Sequence, residues 1–332
     1  MNRLGKYVAR GAAIVVCAAL TACGGSNSPD SPSTTAITTP TGGTTPSASP
    51  TTLSASVSSL ALAVYAPVTN TALTGNPRTI TFTNTGSAAV VDLAFSISPA
   101  LPTGASTSTT CGSTLAVASS CTVTIAPGNT PSAAVGDLSA TPLVLSASGS
   151  NATAVNVAVS ILGYGSVYQS GYVFAIDDTT ATTGSVGGTV LQESDTPSST
   201  EWSNTATELD VLSLTDGAGN TSTIVNALGT LSGYAAPVCS QVGDGGYSDW
   251  YLPAIDELDG GTQSAFTILG PLGIPAATDG AYYWSSTEYS ADPTIMADAV
   301  LVTDISTANV LSGALSKSDS LTVRCARAIT TP

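Results

Sequence analysis

Histidine is absent from all 332 residues, and the chain carries only seven lysines and arginines. Without imidazole there is no Ser-His-Asp or Cys-His relay and no histidine zinc site. Arg3, Lys6 and Arg10 stand at the N-terminus, and only Arg78, Lys317, Arg324 and Arg327 follow. Against them stand 22 acidic residues, all beyond residue 22. Four cations against 22 acids put the chain beyond that point at −18. Phosphate recognition runs on Lys and Arg, so nucleic acid is not expected as a partner. An anionic membrane surface repels such a chain too. Long hydrophobic runs are also missing: Gly11 to Leu20 is about half of the roughly 20 residues needed to cross a bilayer. Paired carboxylates can hydrolyse glycosides, but no spacing here selects a pair, and no enzyme is expected.

What the N-terminus does contain is a basic stretch, that apolar run, and then Leu20-Thr21-Ala22-Cys23-Gly24. A positive region, a short apolar region and small residues before a cleavage point form a secretory signal. Leu20 to Cys23 resembles the lipobox of bacterial lipoproteins. The resemblance implies that residues 1–22 are a removed signal peptide and that Cys23 becomes the acylated first residue. Each buried CH₂ of an acyl chain adds about 0.8 kcal/mol, and stable anchoring takes more than one chain. Gly24 stands where an aspartate resembles an inner-membrane retention signal, so the outer membrane is expected, with the head facing outward or into the periplasm. Residues 24–52 are almost all Ser, Thr, Pro, Gly and other small residues, which cannot bury enough apolar area to offset ordering entropy. With Cys23 they read as a lipidated, disordered linker over 23–52.

Six cysteines are present. Cys17 leaves with the signal and Cys23 takes lipid. In an exported chain the remaining even set, Cys111, Cys121, Cys239 and Cys325, reads as disulfides. Of three pairings, Cys111–Cys121 with Cys239–Cys325 keeps each bridge within one domain and is the expected one.

Residues 53–162 show period-two alternation at Arg78–Asn84, Cys121–Ile125 and Val155–Ile161, punctuated by Asn84-Thr85-Gly86 and Pro127-Gly128-Asn129. About seven strands in roughly 110 residues predict a β-sandwich. Residues 163–332 hold 19 of the 22 acids and all three tryptophans. The spacing predicts a strand at Tyr172–Ile176, a helix from Asn220 to Leu231 capped by Asn220 or Thr221, and a short helix at Pro253–Leu258. Strands are expected at Tyr282–Ser286 and Leu321–Ala326.

The run Ile80–Gly86, with Thr110-Cys111-Gly112 and Ser119 to Val123, resembles bacterial immunoglobulin-like modules, which implies a spacer. Three ordered segments farther on resemble another family: Gly246-Tyr247-Ser248-Asp249-Trp250-Tyr251-Leu252-Pro253 continuing to Glu257-Leu258, Tyr283-Trp284-Ser285-Ser286-Thr287-Glu288-Tyr289, and Val323-Arg324-Cys325-Ala326-Arg327. This half is similar to the C-terminal (Lcl-type) domain of the Legionella collagen-like adhesin family. The resemblance implies an α+β fold related to C-type lectins, surface display, trimerisation and binding of sulfated glycans. The combined expectation is an all-β immunoglobulin-like sandwich followed by an α+β C-type-lectin-like domain.

Two features depart from that family. No Gly-X-Y repeat enforces a trimer, so the oligomeric state stays open. A sulfated polysaccharide needs a cationic face, so a neutral glycan, a cation-bridged one or a protein ligand is expected instead. Trp250, Trp284, Tyr283 and Tyr289 can stack on sugar rings, although the alternation at Tyr283-Trp284-Ser285 turns one aromatic inward. Asp249, Glu257, Glu288 and Asp298 can ligate calcium, but no ordered calcium loop is present, and no other cofactor is implied. Asp249 and Glu257 can equally cap turns or pair with Arg324 or Arg327. The resulting expectation is an adhesin or ligand-binding surface lipoprotein. An envelope assembly subunit without sugar binding is the alternative.

Overall fold

The structure, a computed structural model, describes residues 50–64, 75–197, 199–230 and 233–330. The signal peptide, Cys23 and residues 24–49 lie outside the described residues. Residues Ser47–Pro332 form one compact unit, built mostly of β-strands in several open sheets.

The first ten strands are β1 (Leu53–Ala55), β2 (Ser59–Ala63), β3 (Arg78–Asn84), β4 (Val90–Val91), β5 (Ala94–Ser98), β6 (Ser106–Thr109), β7 (Thr114–Leu115), β8 (Ser120–Ala126), β9 (Leu143–Gly149) and β10 (Ala152–Leu162). They make two four-stranded sheets, ordered β1-β3-β8-β6 and β2-β10-β9-β5, with β4 and β7 paired apart. The alternation sets the faces. Ile80 and Phe82 point inward opposite Val123 and Cys121 of β8, while Val157 and Val159 face inward opposite Leu145 and Leu143 of β9. Each such aliphatic side chain contributes about 1.5–3 kcal/mol when fully buried. Cys111 and Cys121 are bonded across the β6–β8 edge.

The Ser/Thr/Pro segment ends earlier than its composition suggests. Thr51 bridges to Ala152, and its hydroxyl donates to Asn84 Oδ1 at 2.9 Å. Asn84 is fully buried, donating to the Ala88 and Leu115 carbonyls and accepting from Gly86 N–H. Thr51 therefore belongs to the sandwich, its N–H donating to the Asn151 carbonyl and its hydroxyl adding a second donor to Asn84.

The remaining strands are β11 (Val167–Tyr168), β12 (Gly171–Asp177), β13 (Gly187–Gln192), β14 (Thr200–Glu201), β15 (Tyr282–Glu288), β16 (Met296–Asp304), β17 (Asn309–Ser316), β18 (Ser320–Leu321) and β19 (Ala326–Ala328). They form sheets β11-β12-β13-β19, β14-β18 and β15-β16-β17. Four helices are described here: α1 (Gly217–Leu228), α2 (Ala235–Ser240), α3 (Ile255–Leu258) and α4 (Ala265–Leu269). Cys239 of α2 is bonded to Cys325.

Three boundaries differ from those read in the sequence. Helix α1 starts at Gly217 because Asp216 Oδ1 accepts from Gly219 N–H, and it stops before Gly229 at φ +87°. Asn220 and Thr221 are instead buried, bonded to the Ser213 and Leu252 carbonyls. Helix α3 begins only at Ile255, with Glu257 accepting from Ala254 N–H. The strand expected over Leu321–Ala326 is broken, because Arg324 turns its guanidinium into the carbonyls of Gln192, Glu193 and Pro275.

The two hydrophobic cores share β2. Leu60 and Leu62 face the sandwich, whereas Ala61 and Ala63 belong to the core of the second half. The β2 edge is covered where Ser185 Oγ accepts from Ala61 N–H and Val186 N–H donates to the Ala61 carbonyl.

Candidate functional site

The three sequence motifs meet in space. Tyr251 and Ala326 exchange backbone hydrogen bonds, each 2.9 Å long. Ser286 N–H donates to the Pro253 carbonyl, Ile255 N–H to Thr287 Oγ1, and Trp284 N–H to the Thr322 carbonyl. The constellation read from the sequence is thus one place, but its side chains turn inward.

Trp250 and Trp284 are 2% and 0% exposed, so neither ring faces solvent, which corrects their reading as sugar platforms. Trp284 Nε1 donates to the Thr200 carbonyl, and Trp202 Nε1 to that of Ser285. Tyr283 is also fully buried: its hydroxyl donates to Asp195 Oδ2 at 2.9 Å and accepts from Thr278 N–H. Burial pushes that phenol up to about 12. Both aromatics of Tyr283-Trp284 are therefore inside, because β15 is covered on both faces. Tyr289, 38% exposed, does reach solvent.

The carboxylates expected for calcium are spoken for separately. Glu288, 1% exposed, binds Lys317 Nζ at 2.5 Å and accepts from the N–H groups of Leu209 and Val211. Asp249 pairs with Arg327 Nε. Glu257 accepts from Tyr251 OH, Ala254 N–H and Gly217 N–H, and burial raises its carboxyl despite those bonds. Asp298, half-buried on β16, is pushed up to about 6 by burial. Among the described residues no group of three or more such side chains is placed to hold a metal ion. The calcium constellation proposed from these four residues does not assemble.

The sequence also hides the fate of its cations. Arg78, Lys317, Arg324 and Arg327 are 0%, 2%, 3% and 1% exposed, and each pairs with an acid: Asp178, Glu288, Asp195 and Asp249. These are all the cations among the described residues, so that surface presents carboxylates and no opposing charge. Burying a charge is tolerable only when it is paired and hydrogen-bonded, which accounts for the four-for-four pairing. The signal was available: so few cations in so acidic a chain each have a choice of partners. A heparin column should therefore retain none of the protein at low salt. Salt-sensitive retention would mean that at least one cation faces solvent.

No family model matches the chain, and no curated protein matches it. Among solved structures, the chain is similar to the S-layer protein rSbsC, with 15% identity, a TM-score of 0.23, and coverage of 35% of this chain and 13% of that one. A second structure, domains 1–6 of surface layer protein SbsC, gives 12% identity, a TM-score of 0.24, and coverage of 46% and 20%. The secreted serine protease VesC from Vibrio cholerae gives 12% identity, a TM-score of 0.24, and coverage of 80% and 44%. The chain thus spans less than half the length of each, and likenesses this slight assign neither fold nor function.

Proposed function

We propose that this chain is a lipid-anchored protein of the bacterial outer membrane that serves as an adhesin or ligand-binding module, without enzymatic chemistry. In this reading an immunoglobulin-like sandwich carries a C-type-lectin-like, Lcl-type head. The observation that carries it is the commitment of the motif side chains: the carboxylates and aromatics best suited to chemistry are used to build the head, leaving an anionic display surface. The anchor rests on Leu20-Thr21-Ala22-Cys23, and the two disulfides suit an exported chain. Cys23→Ala should abolish metabolic acyl labelling and release the chain from the membrane fraction. Labelling that persists overturns the anchor. Deleting the protein should also lower attachment of intact cells to a ligand-coated surface.

One observation favours the assembly reading. Strand β17 (Asn309-Val310-Leu311-Ser312-Gly313-Ala314-Leu315-Ser316) is the uncharged edge of its sheet, with Leu311 56% exposed. Edges of that kind pair with other strands. Cross-linking into a discrete envelope complex, with unchanged cell attachment on deletion, would select this reading.

A further inference from the structure

We infer that the groove between the sandwich and the head is a binding site for a neutral saccharide. The inference rests on the ligand-binding reading above and gives it a place.

The groove encloses about 440 Å³, within the range of small-molecule sites. Its floor is the outer face of paired strands β2 and β10, where Ser59 and Ser160 stand among small residues. The turn Tyr168-Gln169-Ser170, Tyr247 and Glu193 complete the lining as a side wall.

That wall is held under strain. Gln169 and Ser170 form the two-residue turn between β11 and β12, at φ +48° and +65°. Such a turn asks for Asn-Gly or Gly-Gly, and neither residue here is Asn or Gly. Strained backbone persists only where its surroundings over-determine it, and it gathers at ligand sites. The surroundings are visible. Gln169 Oε1 accepts from Arg327 Nη1 at 2.7 Å and from Thr330 N–H, while its Nε2 donates to the Thr330 carbonyl. Gly245 packs so closely that a Cβ there would lie 2.0 Å from Ser170 Oγ. The Arg327 guanidinium lies 3.6 Å from the centre of the Tyr247 ring. Arg327 is buried and braces the Tyr247 ring, which lines the groove. Tyr168 and Tyr247 are thus held as partly buried aromatic side chains that pack on the core and line the groove.

The lining selects the ligand. No Lys or Arg contributes to it, and Glu193 does, so sulfated and phosphorylated ligands are repelled. Hydroxyls on the floor disfavour a purely apolar guest. An extended peptide would need a free strand edge, and β2 is already covered at Ala61 by Ser185 and Val186. A pyranose fits: its C–H face lies on a tyrosine, and its hydroxyls exchange hydrogen bonds with Ser59, Ser160 and Glu193.

The test uses the full acylated chain in a detergent without a sugar headgroup. The probes are immobilised unsulfated di- to tetrasaccharides built on glucose, galactose, mannose and N-acetylglucosamine, with uncharged peptides alongside. At least one saccharide should be retained. Ser160→Trp, which fills the floor, and Tyr247→Ala, which removes a wall, should each lower retention at least tenfold, whereas Tyr247→Phe keeps it. Thermal melting of each variant reports folding. No retained saccharide, retention unchanged by Ser160→Trp in a folded variant, or retention of peptides alone overturns the site. Attachment of intact cells separates this from the broader reading. Attachment that survives Ser160→Trp but is lost on deletion leaves the adhesin and removes the groove. Sugar retention with attachment indifferent to deletion does the reverse.

Discussion

Lys317→Met should lower the unfolding free energy by about 3–5 kcal/mol, the size expected when one partner of a buried pair is removed. Lys317 is 2% exposed, and its ammonium meets Glu288 Oε1 together with the carbonyls of Thr207 and Pro293. It also lies 4.5 Å from the centre of the Trp202 ring. Taking it away leaves a carboxylate, itself 1% exposed, with only the N–H groups of Leu209 and Val211. Glu288→Gln leaves the mirror-image defect, an ammonium facing carbonyls, and should cost a similar amount. The double variant should cost less than the sum, because the second change removes a charge the first had stranded. Chemical denaturation of the three variants reads this directly through the midpoint at constant slope. A single-variant loss below about 1 kcal/mol would place the pair in water, where such pairs contribute little.

That pair also shows where sequence reading stops. The strand faces were legible because alternation is local: Ile80 and Phe82, or Cys121, Val123 and Ile125, declare one side by spacing alone. Both disulfides follow from keeping each bridge within one domain. The convergence of the three motifs was legible only as sequential order. What they do was not, because Trp250, Trp284 and Glu288 belong equally to a binding face and to a core until depth is known. Depth is a long-range property: Glu288 is buried because residues 207–211 and Lys317 close over it. Alternation predicts that one aromatic of Tyr283-Trp284 turns inward, whereas both are fully buried. Helix α1 lies three residues before the span its spacing predicts, because Asn220 and Thr221 look like caps yet tertiary partners claim both side chains. The run Leu60-Ala61-Leu62-Ala63 did hold a signal for the shared strand: an unbroken apolar stretch is what two-sided burial requires. The groove residues Tyr168 and Gln169 lie nearly 80 residues before Tyr247 in the chain, and only the fold assembles their wall.

Arg78→Met should uncouple the two halves of the folded unit as well as destabilise it. Arg78 is the sandwich's lone cation and is fully buried. Its Nη2 reaches Asp178 Oδ1 at 2.6 Å and Thr180 Oγ1 at 3.0 Å, while Nη1 donates to the carbonyls of Ala181 and Gly184. One guanidinium thus gathers the whole turn after β12. Asn76 and Thr79 add backbone bonds to Asp178 and Thr182. A planar fork with several fixed donors does this in a way an ammonium cannot. Met fills part of the volume but supplies no donor, and it leaves Asp178 and two carbonyls short of partners, at a cost of about 3–5 kcal/mol. Because each half keeps its own apolar core, the loss should fall first on the junction. Calorimetry should resolve two transitions in the variant where the parent shows one. Limited proteolysis should open a new cut within residues 178–186 that the parent does not show. Arg78→Lys should sit between the two, restoring the charge but not the fork. A variant that melts once, at the parent temperature and without new cleavage, would show that β2 and its shared cores hold the halves together unaided.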